Sequence, residues 1–379
     1  MKNILVITNI IATYRTTLFN EMYIFCKKNW YTMKVLFLSE TENNRNRNTK
    51  KEIEKFLFPY EVLSSKQIRT GKKDKFYFHI NKWIKDYLNK ENPDIIIHDW
   101  WVSLSAWQSQ KRCKKHKRKY ILWNESSKFE TSWRRTITKP IVKSLVKKSD
   151  WYISFWTRAT EYLNSMWANL EKICQYYNTV DIDFFVNESN RLKDEKQGLK
   201  NKYWINTKHC ILFVWQLIVR KWIYEILGWF KEFQKKNKDW SLVFVWWWQE
   251  KEKMENIIKE ENITNVYFPW FFQIDVIPEL YKIADIFTLP SREEVWWLVI
   301  NEAMCFWLPI ITANEVWASE DLVIEWKNWY VMKNHTPEEW QKWLNYIIEK
   351  DLINNNSSLQ LIQNFKYDNF IPNIKIFLD

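Results

Sequence analysis

Two doubly wound α/β domains are the architecture this sequence predicts, on three observations. Strand-length apolar runs alternate with helical patterns from the first residues, the alternation stops at a polar stretch and then restarts, and 379 residues suffice for two ordinary cores. The first half reads as strands at 4–8, 35–39, 94–99, 120–125 and 151–155, with a sixth run, CQYY, ending at Tyr177. Each is rich in Ile, Val, Leu or aromatics, as befits strands covered on both faces by crossover helices. Residues 187–202 are rich in Asn, Lys and Glu, the composition of a linker, which sets a boundary at 186/187. Strands at 210–215, 241–246, 266–269, 286–290, 309–313 and 329–333 follow, and a helix at 337–350 closes the series. The expected division is a Rossmann-like domain over 1–186, a second over 187–352, and a tail over 353–379 that packs back on the first. No repeat at solenoid or propeller spacing interrupts it.

Composition narrows the function classes. Hydrophobic residues at 46% and charged residues at 27% exclude a disordered or fibrous chain. The apolar runs are too short to span a bilayer, and MKNILVITNI has polar residues where a signal peptide needs an apolar core, so a cytoplasmic location is expected. Five cysteines, odd in number and free of any CxxC, fit reduced thiols rather than disulfides or zinc ligands. The net charge is +12, and part of it is concentrated. Lys111, Arg112, Lys114, Lys115, Lys117, Arg118 and Lys119 form one run. In a second, Arg134, Arg135, Lys139, Lys143, Lys147 and Lys148 interleave with Ile137, Ile141, Val142, Leu145 and Val146, which makes a basic amphipathic helix. Such a surface suits an anionic membrane face or nucleic acid.

The chain has 3 Gly and 27 Trp. About 7% glycine, roughly 27 residues, is usual at this length, so the deficit matches the excess. Trp215 and Trp222 flank the first turn of the second domain, Trp246, Trp247 and Trp248 follow its second strand, and Trp270 follows its third. Trp30 and Trp167 end helices, and Trp326 and Trp329 bracket Lys327-Asn328 before a strand. These are glycine positions. Indoles in so many turns, at about 1–3 kcal/mol each in overpacking, exceed the roughly 5–15 kcal/mol that holds a domain folded. The chain as written is expected to fold poorly, and most of these tryptophans are read as UGA codons that the source translates as glycine. Trp107, Trp123, Trp133, Trp296, Trp340 and Trp343, at helical or core-like positions, are read as genuine.

The chemistry-bearing segment is PSREEVWWLVINEAMCFWLPII, from Pro290 to Ile311. It runs from a strand end, through a loop with Glu294, into a helix carrying Glu302, seven residues between the two. The helix start offers free amides at Leu298 and Val299 to an anion, and glycine in place of Trp297 would let a diphosphate approach them. Glu302 can accept two hydroxyl hydrogen bonds from a ribose, and Glu294 can take sugar hydroxyls. This segment resembles the Glu-x7-Glu signature of the retaining glycosyltransferases of family 4, whose GT-B fold sets two Rossmann-like domains face to face across a cleft. FVWQLIVRKWIYEILGWFKEF, from Phe213 to Phe233, is similar to the family's phosphate-binding turn and helix, and SLVFVWWWQE to its Gly-rich second turn. DWYISFWTRATEYL and YYNTVDIDFF are similar to its first-half segments, and MKNILVITNIIATYRTTLFNE to the start of a subset with Tyr-Arg in the first loop. Nearly every departure is a Trp at a family glycine.

The resemblance implies transfer of a sugar from a nucleotide diphosphate sugar to a glycan or lipid-linked acceptor, with retention, in surface polysaccharide or glycolipid biosynthesis beside the membrane. On the donor side it implies Lys221 against the diphosphate, with Arg220, and with Gln216 where the family has an arginine. It also implies Glu294 on the donor sugar, Glu302 on the ribose, the Leu298 and Val299 amides on phosphate, and the loop from Phe268 to Phe271 near the base. On the acceptor side Glu125 stands where many members have a histidine, placed to position or deprotonate the acceptor hydroxyl, with Tyr14, Arg15, Asp99 and Arg158 as further candidates. Glu294, Lys221 and Glu125 form the expected catalytic set. Asp181-Ile182-Asp183 spells a DxD metal motif but falls in a stretch resembling the family's metal-free hinge, so no metal or other cofactor is expected. The rival readings are a nucleotide-sugar epimerase of the same fold and a nucleic-acid binder stacking bases on Trp. Glycine at the suspect sites removes the second reading's platform, and no nucleic-acid partner is expected.

Overall fold

The computed structural model describes the chain apart from residues 42–48, 71–75, 100–102, 129–132, 246–249, 270–275, 293–297, 354 and 379; at 69–70, 76–78 and 133–137 it describes the backbone alone. The chain forms two compact units, Met1–Asn178 with Tyr367–Asp379, and Thr179–Lys366. The first contains β1 (Asn3–Thr8), β2 (Thr32–Phe37), β3 (Tyr60–Val62), β4 (Lys66–Thr70), β5 (Phe76–Ile80), β6 (Ile95–His98), β7 (Lys119–Asn124), β8 (Trp151–Phe155) and β9 (Ile173–Tyr176). Seven of them make a parallel sheet in the order β3-β2-β1-β6-β7-β8-β9, while β4 and β5 pair as a separate antiparallel hairpin. The second contains β10 (His209–Val214), β11 (Trp240–Val245), β12 (Val266–Tyr267), β13 (Ile286–Leu289), β14 (Ile310–Ala313) and β15 (Trp329–Met332), all parallel in the order β12-β11-β10-β13-β14-β15. Both are doubly wound. The strand order reverses between β1 and β6 and between β10 and β13, and ligands of such sheets bind in the crevice that this reversal opens at the strand C-termini.

The twelve strand runs legible in the sequence are strands, shifted at most by a few residues. Ile4, Leu5, Val6 and Ile7 are consecutive and all buried, as a strand with helices on both faces requires. Leu5, Leu36, Ile96 and Leu122 pack with Leu88, Leu145, Val146 and Leu163 from the flanking helices. Strands β3, β4 and β5 were not legible, since YEV and KQIRT carry little apolar signal. The polar stretch 187–202 that suggested a linker is instead made of two largely exposed helices, Ile182–Arg191 and Lys196–Lys202, and the units divide earlier, at Asn178/Thr179. Within the tail, Ser358 donates to the Leu308 carbonyl at 2.7 Å inside the second unit, whereas residues from Tyr367 belong to the first. There Lys2 donates to the Leu378 carbonyl at 2.7 Å, Lys119 to Phe377 at 3.1 Å, and the Tyr176 hydroxyl to Ile371 at 3.2 Å.

Helix ends show where the tryptophans sit. After the helices Thr13–Lys28, Trp156–Ser165, Lys196–Lys202 and Leu298–Cys305 the left-handed position is taken by Trp30, Trp167, Trp204 and Trp307, with φ of 62, 73, 55 and 65°. In each, the indole residue's own N–H and the next one bond back to the last turn, for example Trp167 to Asn164 and Ala168 to Leu163. That is the Schellman motif, and the position is glycine's. Trp156, Trp222, Trp326 and Trp329 also have positive φ, of 76, 57, 70 and 136°. The glycines Gly198 and Gly228 lie inside helices instead. Trp30 and Trp204 are 78% and 79% exposed, and Trp222, Trp307 and Trp329 bury an indole N–H that has no hydrogen-bond partner among the described residues. Trp123 and Trp340 behave as genuine core residues: their N–H groups donate to Glu125 at 2.9 Å and to Thr288 at 3.1 Å. Trp246, Trp247, Trp248, Trp270, Trp296 and Trp297 lie outside the described residues, as does the side chain of Trp133.

Candidate functional site

In the second unit β10 runs into a turn that ends in a short 3-10 helix, Val219–Lys221, and Trp222 in the left-handed region then opens the helix Ile223–Gln234. Lys221 is fully buried, its Nζ 5.9 Å from the Trp215 ring, while Gln216 and Arg220 are exposed. Enclosing an ammonium is costly, so its place at the β10/β13 switch point is informative. Across that point Pro290 and Ser291 follow β13, and Arg292 donates its backbone N–H to the Arg220 carbonyl at 3.1 Å and its guanidinium to Glu225 at 2.6 Å. These bonds tie the two strand-end turns together. Glu294 and Trp297 lie outside the described residues.

Downstream, the helix Leu298–Cys305 holds Leu298 half-buried, Val299 buried and Glu302 one turn in. Burial pushes the Glu302 carboxyl up to about 7, against the opposing pull of a hydrogen bond from Tyr281. The Tyr281 hydroxyl, on the helix Ile277–Ile283, lies 2.7 Å from Glu302 Oε2 and 3.3 Å from the Val299 carbonyl. One hydroxyl proton serves one acceptor at a time. It goes to Glu302 when that group is ionised, and to Val299 when Glu302 is protonated and itself donates to Tyr281. Nothing in the sequence spacing marked Tyr281, because the pair joins two helices. Phe268 is half-buried and stacks on Phe244 at 5.6 Å; Phe271 lies outside the described residues.

The first unit gathers a second set at the β1/β6 switch point. Thr8 ends β1, Tyr14 and Arg15 start the helix Thr13–Lys28, Asp99 follows β6 and Glu125 follows β7. Arg15 is buried and donates to Thr8 Oγ1 and Asp99 Oδ2 through Nη1, and to Glu125 Oε1 at 3.1 Å through Nη2. Thr8 donates to Asp99 at 2.6 Å. Burial alone would weaken the Arg15 charge, but Glu125, Tyr14 and Asp99 outweigh it and hold the guanidinium firmly protonated. His98 is buried and neutral, its ring pushed down to about 4 by burial, and its Nδ1–H donates to the Asp99 carbonyl. Of the expected acceptor-side residues, Arg15, Asp99 and Glu125 are joined directly, and the Tyr14 ring lies 5.4 Å from the Arg15 guanidinium carbon. Arg158 is buried in the first turn of Trp156–Ser165.

Other sequence features have plain structural roles. Asp181 caps the helix Ile182–Arg191 through the Phe184 N–H at 2.9 Å, and Asp183 pairs with Lys366 at 2.6 Å. From the first basic run Arg112 bonds Asn92, Arg118 bonds Asp94 and Lys119 bonds the tail. In the basic helix Val142, Leu145 and Val146 are buried, whereas Ile141 stands exposed among Lys139, Lys147 and Lys148 rather than on the apolar face. Lys143 and Lys147 both place Nζ 3.9 Å from the Trp167 ring. Among the described residues no helix is long and apolar enough to cross a membrane.

Two parallel doubly wound sheets, each with a polar set at its switch point, define the GT-B class of fold, and solved structures agree over the whole chain. Anabaena Alr3699/HepE in complex with UDP is similar with a TM-score of 0.77 and 14% identity, covering 100% of this chain and 99% of that one. A glycosyltransferase from Rickettsia africae gives 0.72 and 16%, covering 99% and 97%. Sucrose-phosphate synthase from Thermosynechococcus elongatus gives 0.69 and 13%, covering 100% and 98%. Residues 195–366, nearly all of the second unit, match the family model described as Glycosyl transferases group 1. An uncharacterized glycosyltransferase of Haemophilus influenzae is 27% identical over 260 residues, 64% of this chain and 62% of that protein's length.

Proposed function

We propose that the chain is a retaining glycosyltransferase of family 4 that transfers a sugar from a nucleotide diphosphate sugar to a glycan or lipid-linked acceptor. The observation that carries this is Lys221, an ammonium enclosed at the β10/β13 switch point of a unit whose residues match group 1 glycosyl transferases. A compact cation there neutralises a departing diphosphate, which is the main electrostatic demand of the reaction. Arg220, Gln216 and the Leu298 and Val299 amides complete the phosphate contacts, Glu302 takes the ribose and Glu294 the donor sugar. No metal or other cofactor is required. Support for the donor class comes from HepE, solved with UDP and with UDP-glucose. Attack occurs on the face the nucleotide leaves, and the departing phosphate helps to take the acceptor proton, so no protein nucleophile is needed. The acceptor binds the first unit beside Glu125. The exposed Lys139, Ile141, Lys147 and Lys148 support contact with an anionic membrane surface, in keeping with a cytoplasmic enzyme of surface polysaccharide or glycolipid biosynthesis. A panel of UDP-, GDP-, ADP- and dTDP-sugars, scored by nucleotide release from the chain carrying glycine at its left-handed tryptophan positions, tests the reading. At least one donor should turn over, and Lys221→Ala should abolish it while the protein stays folded; an active Lys221→Ala sinks the assignment.

The tryptophans at glycine positions are proposed to be UGA codons that the source reads as glycine. Among the described residues eight tryptophans have positive φ. At about 1–2 kcal/mol per left-handed residue with a side chain, eight such sites cost about 8–16 kcal/mol, as much as a whole domain's stability. Sequencing the gene decides it: UGG codons at Trp30, Trp167, Trp204 and Trp307 end the idea.

A further inference from the structure

The β1/β6 cluster of the first unit has an internal asymmetry that points to what docks there. Glu125 Oε1 accepts two hydrogen bonds, from Arg15 Nη2 at 3.1 Å and from Trp123 Nε1 at 2.9 Å. Its second oxygen has no hydrogen-bond partner among the described residues, and the side chain is 25% exposed against 8% for Arg15 and 4% for Asp99. One carboxylate oxygen is therefore tied down and the other is open to solvent. Trp123 is itself held by stacking on Phe155, ring centroids 4.7 Å apart, so the bond it makes to Glu125 comes from a fixed donor. Buried behind are Asp99 Oδ1, Arg15 Nε and His98 Nε2, each without a hydrogen-bond partner among the described residues. Arg15 faces two carboxylates, Asp99 and Glu125, and His98 adds no charge, so these four side chains together keep one negative charge in excess. Such a set accepts a hydrogen bond readily and repels an anion.

We infer that Arg15 is a positioning residue which, with Trp123, fixes Glu125 by one oxygen and presents the other to a neutral hydroxyl, so that this crevice takes a sugar hydroxyl and excludes a phosphate or carboxylate. The inference rests on the glycosyltransferase reading above. Orientation of the attacking oxygen is where such a clamp acts, because small misplacements of a reacting group cost rate steeply.

The test uses the full chain with glycine at its left-handed tryptophan positions, the donor selected by the nucleotide-release panel, and four neutral acceptors: n-octyl β-glucoside, β-galactoside, β-mannoside and β-N-acetylglucosaminide, each beside its 6-phosphate. The readout is the partition of donor sugar between acceptor and water. A neutral glycoside should be favoured over its 6-phosphate by at least about tenfold. Arg15→Gln and Glu125→Gln should each lower the ratio of transfer to hydrolysis by about tenfold or more, Trp123→Phe by about threefold, and Arg15→Lys should recover part of the loss. A merely structural role lowers transfer and hydrolysis together and leaves the ratio unchanged. Should Arg15→Gln fail to fold, Trp123→Phe, which keeps the ring and its stack, carries the test. An unchanged ratio in both, a preference for the phosphorylated acceptor, or transfer to none of the four despite donor turnover overturns the inference. Absence of nucleotide release with every donor counts instead against the glycosyltransferase reading.

Discussion

The two units share a strand order and a switch point, yet the turns after their first strands are built differently. After β1 the crevice is lined by Thr8, Arg15 and Asp99, joined by hydrogen bonds that satisfy most of the charge. After β10 the corresponding turn packs Lys221 beneath Trp215 and passes through Trp222 in a left-handed conformation. One crevice is a polar network joined by its own side chains, with one Glu125 oxygen left open and Asp99 Oδ1, Arg15 Nε and His98 Nε2 without a partner among the described residues. The other holds a buried ammonium, Lys221, beside Trp215 and next to Trp222 in the chain. The difference teaches that the first crevice is built from side chains bonded to one another, while the turn of the second carries indoles, one of them, Trp222, in the left-handed region that favours glycine.

The strongest way to break that comparison is to restore the bare backbone. Replacing Trp30, Trp156, Trp167, Trp204, Trp222, Trp307, Trp326 and Trp329 together by glycine should convert a poorly folding chain into one with a cooperative denaturation transition. Single Trp30→Gly or Trp204→Gly changes should gain about 1 kcal/mol each, read from the urea midpoint. A literal chain that unfolds as cooperatively as the glycine form removes the contrast between the crevices. Next in size, Lys221→Ala in the glycine form should lower nucleotide release by at least about a hundredfold, whereas Arg220→Ala, on an exposed side chain, should cost less than tenfold.

A smaller effect comes from Glu302. Burial raises its carboxyl from 4.5 to about 7, so the folded chain holds this proton more tightly than the unfolded one. Its contribution to stability is complete below pH 4.5 and lost as pH rises through 7. The melting temperature of the wild-type chain should therefore fall more steeply between pH 4.5 and 8 than that of Glu302→Gln; parallel curves would contradict the assignment. Tyr281→Phe should raise KM for the nucleotide sugar about fivefold, the worth of one hydrogen bond. On the membrane side, Lys147→Glu with Lys148→Glu should weaken sedimentation with phosphatidylglycerol vesicles, by about 1 kcal/mol per charge at low salt. Binding indifferent to both salt and these changes would rule out the electrostatic surface.

Much of this was legible before any coordinates. Strands buried on both faces write their position in unbroken Ile, Val and Leu, so both sheets could be read from runs such as Ile4 to Ile7. The left-handed Trp30, Trp167, Trp222, Trp326 and Trp329 were legible too, because glycine's absence from a turn is as visible as its presence. The short edge strand β3 and the hairpin β4-β5 were not, since YEV and KQIRT carry little apolar signal and FYFHI lies outside the alternation of strand and crossover helix that marks the parallel sheet. The unit boundary was misplaced because exposed helices such as Ile182–Arg191 and a linker share a polar composition. The Arg15 clamp on Glu125 and the Tyr281 bond to Glu302 link residues 110 and 21 positions apart, and only the register of parallel strands and the packing of helices brings them together.

The return of residues from Tyr367 onward to the first unit gives the molecule an order of assembly. Thr179–Lys366 is continuous and can complete its fold as it leaves the ribosome, but the first unit must wait, although its sheet was made earlier. Until Ile371, Phe377 and Leu378 arrive, the Tyr176 hydroxyl, Lys119 and Lys2 lack the carbonyls they bond. An unfinished chain thus carries a ready second unit and an unsealed first one, and a translation stop that removes the closing segment disables a sheet made entirely of residues before Asn178.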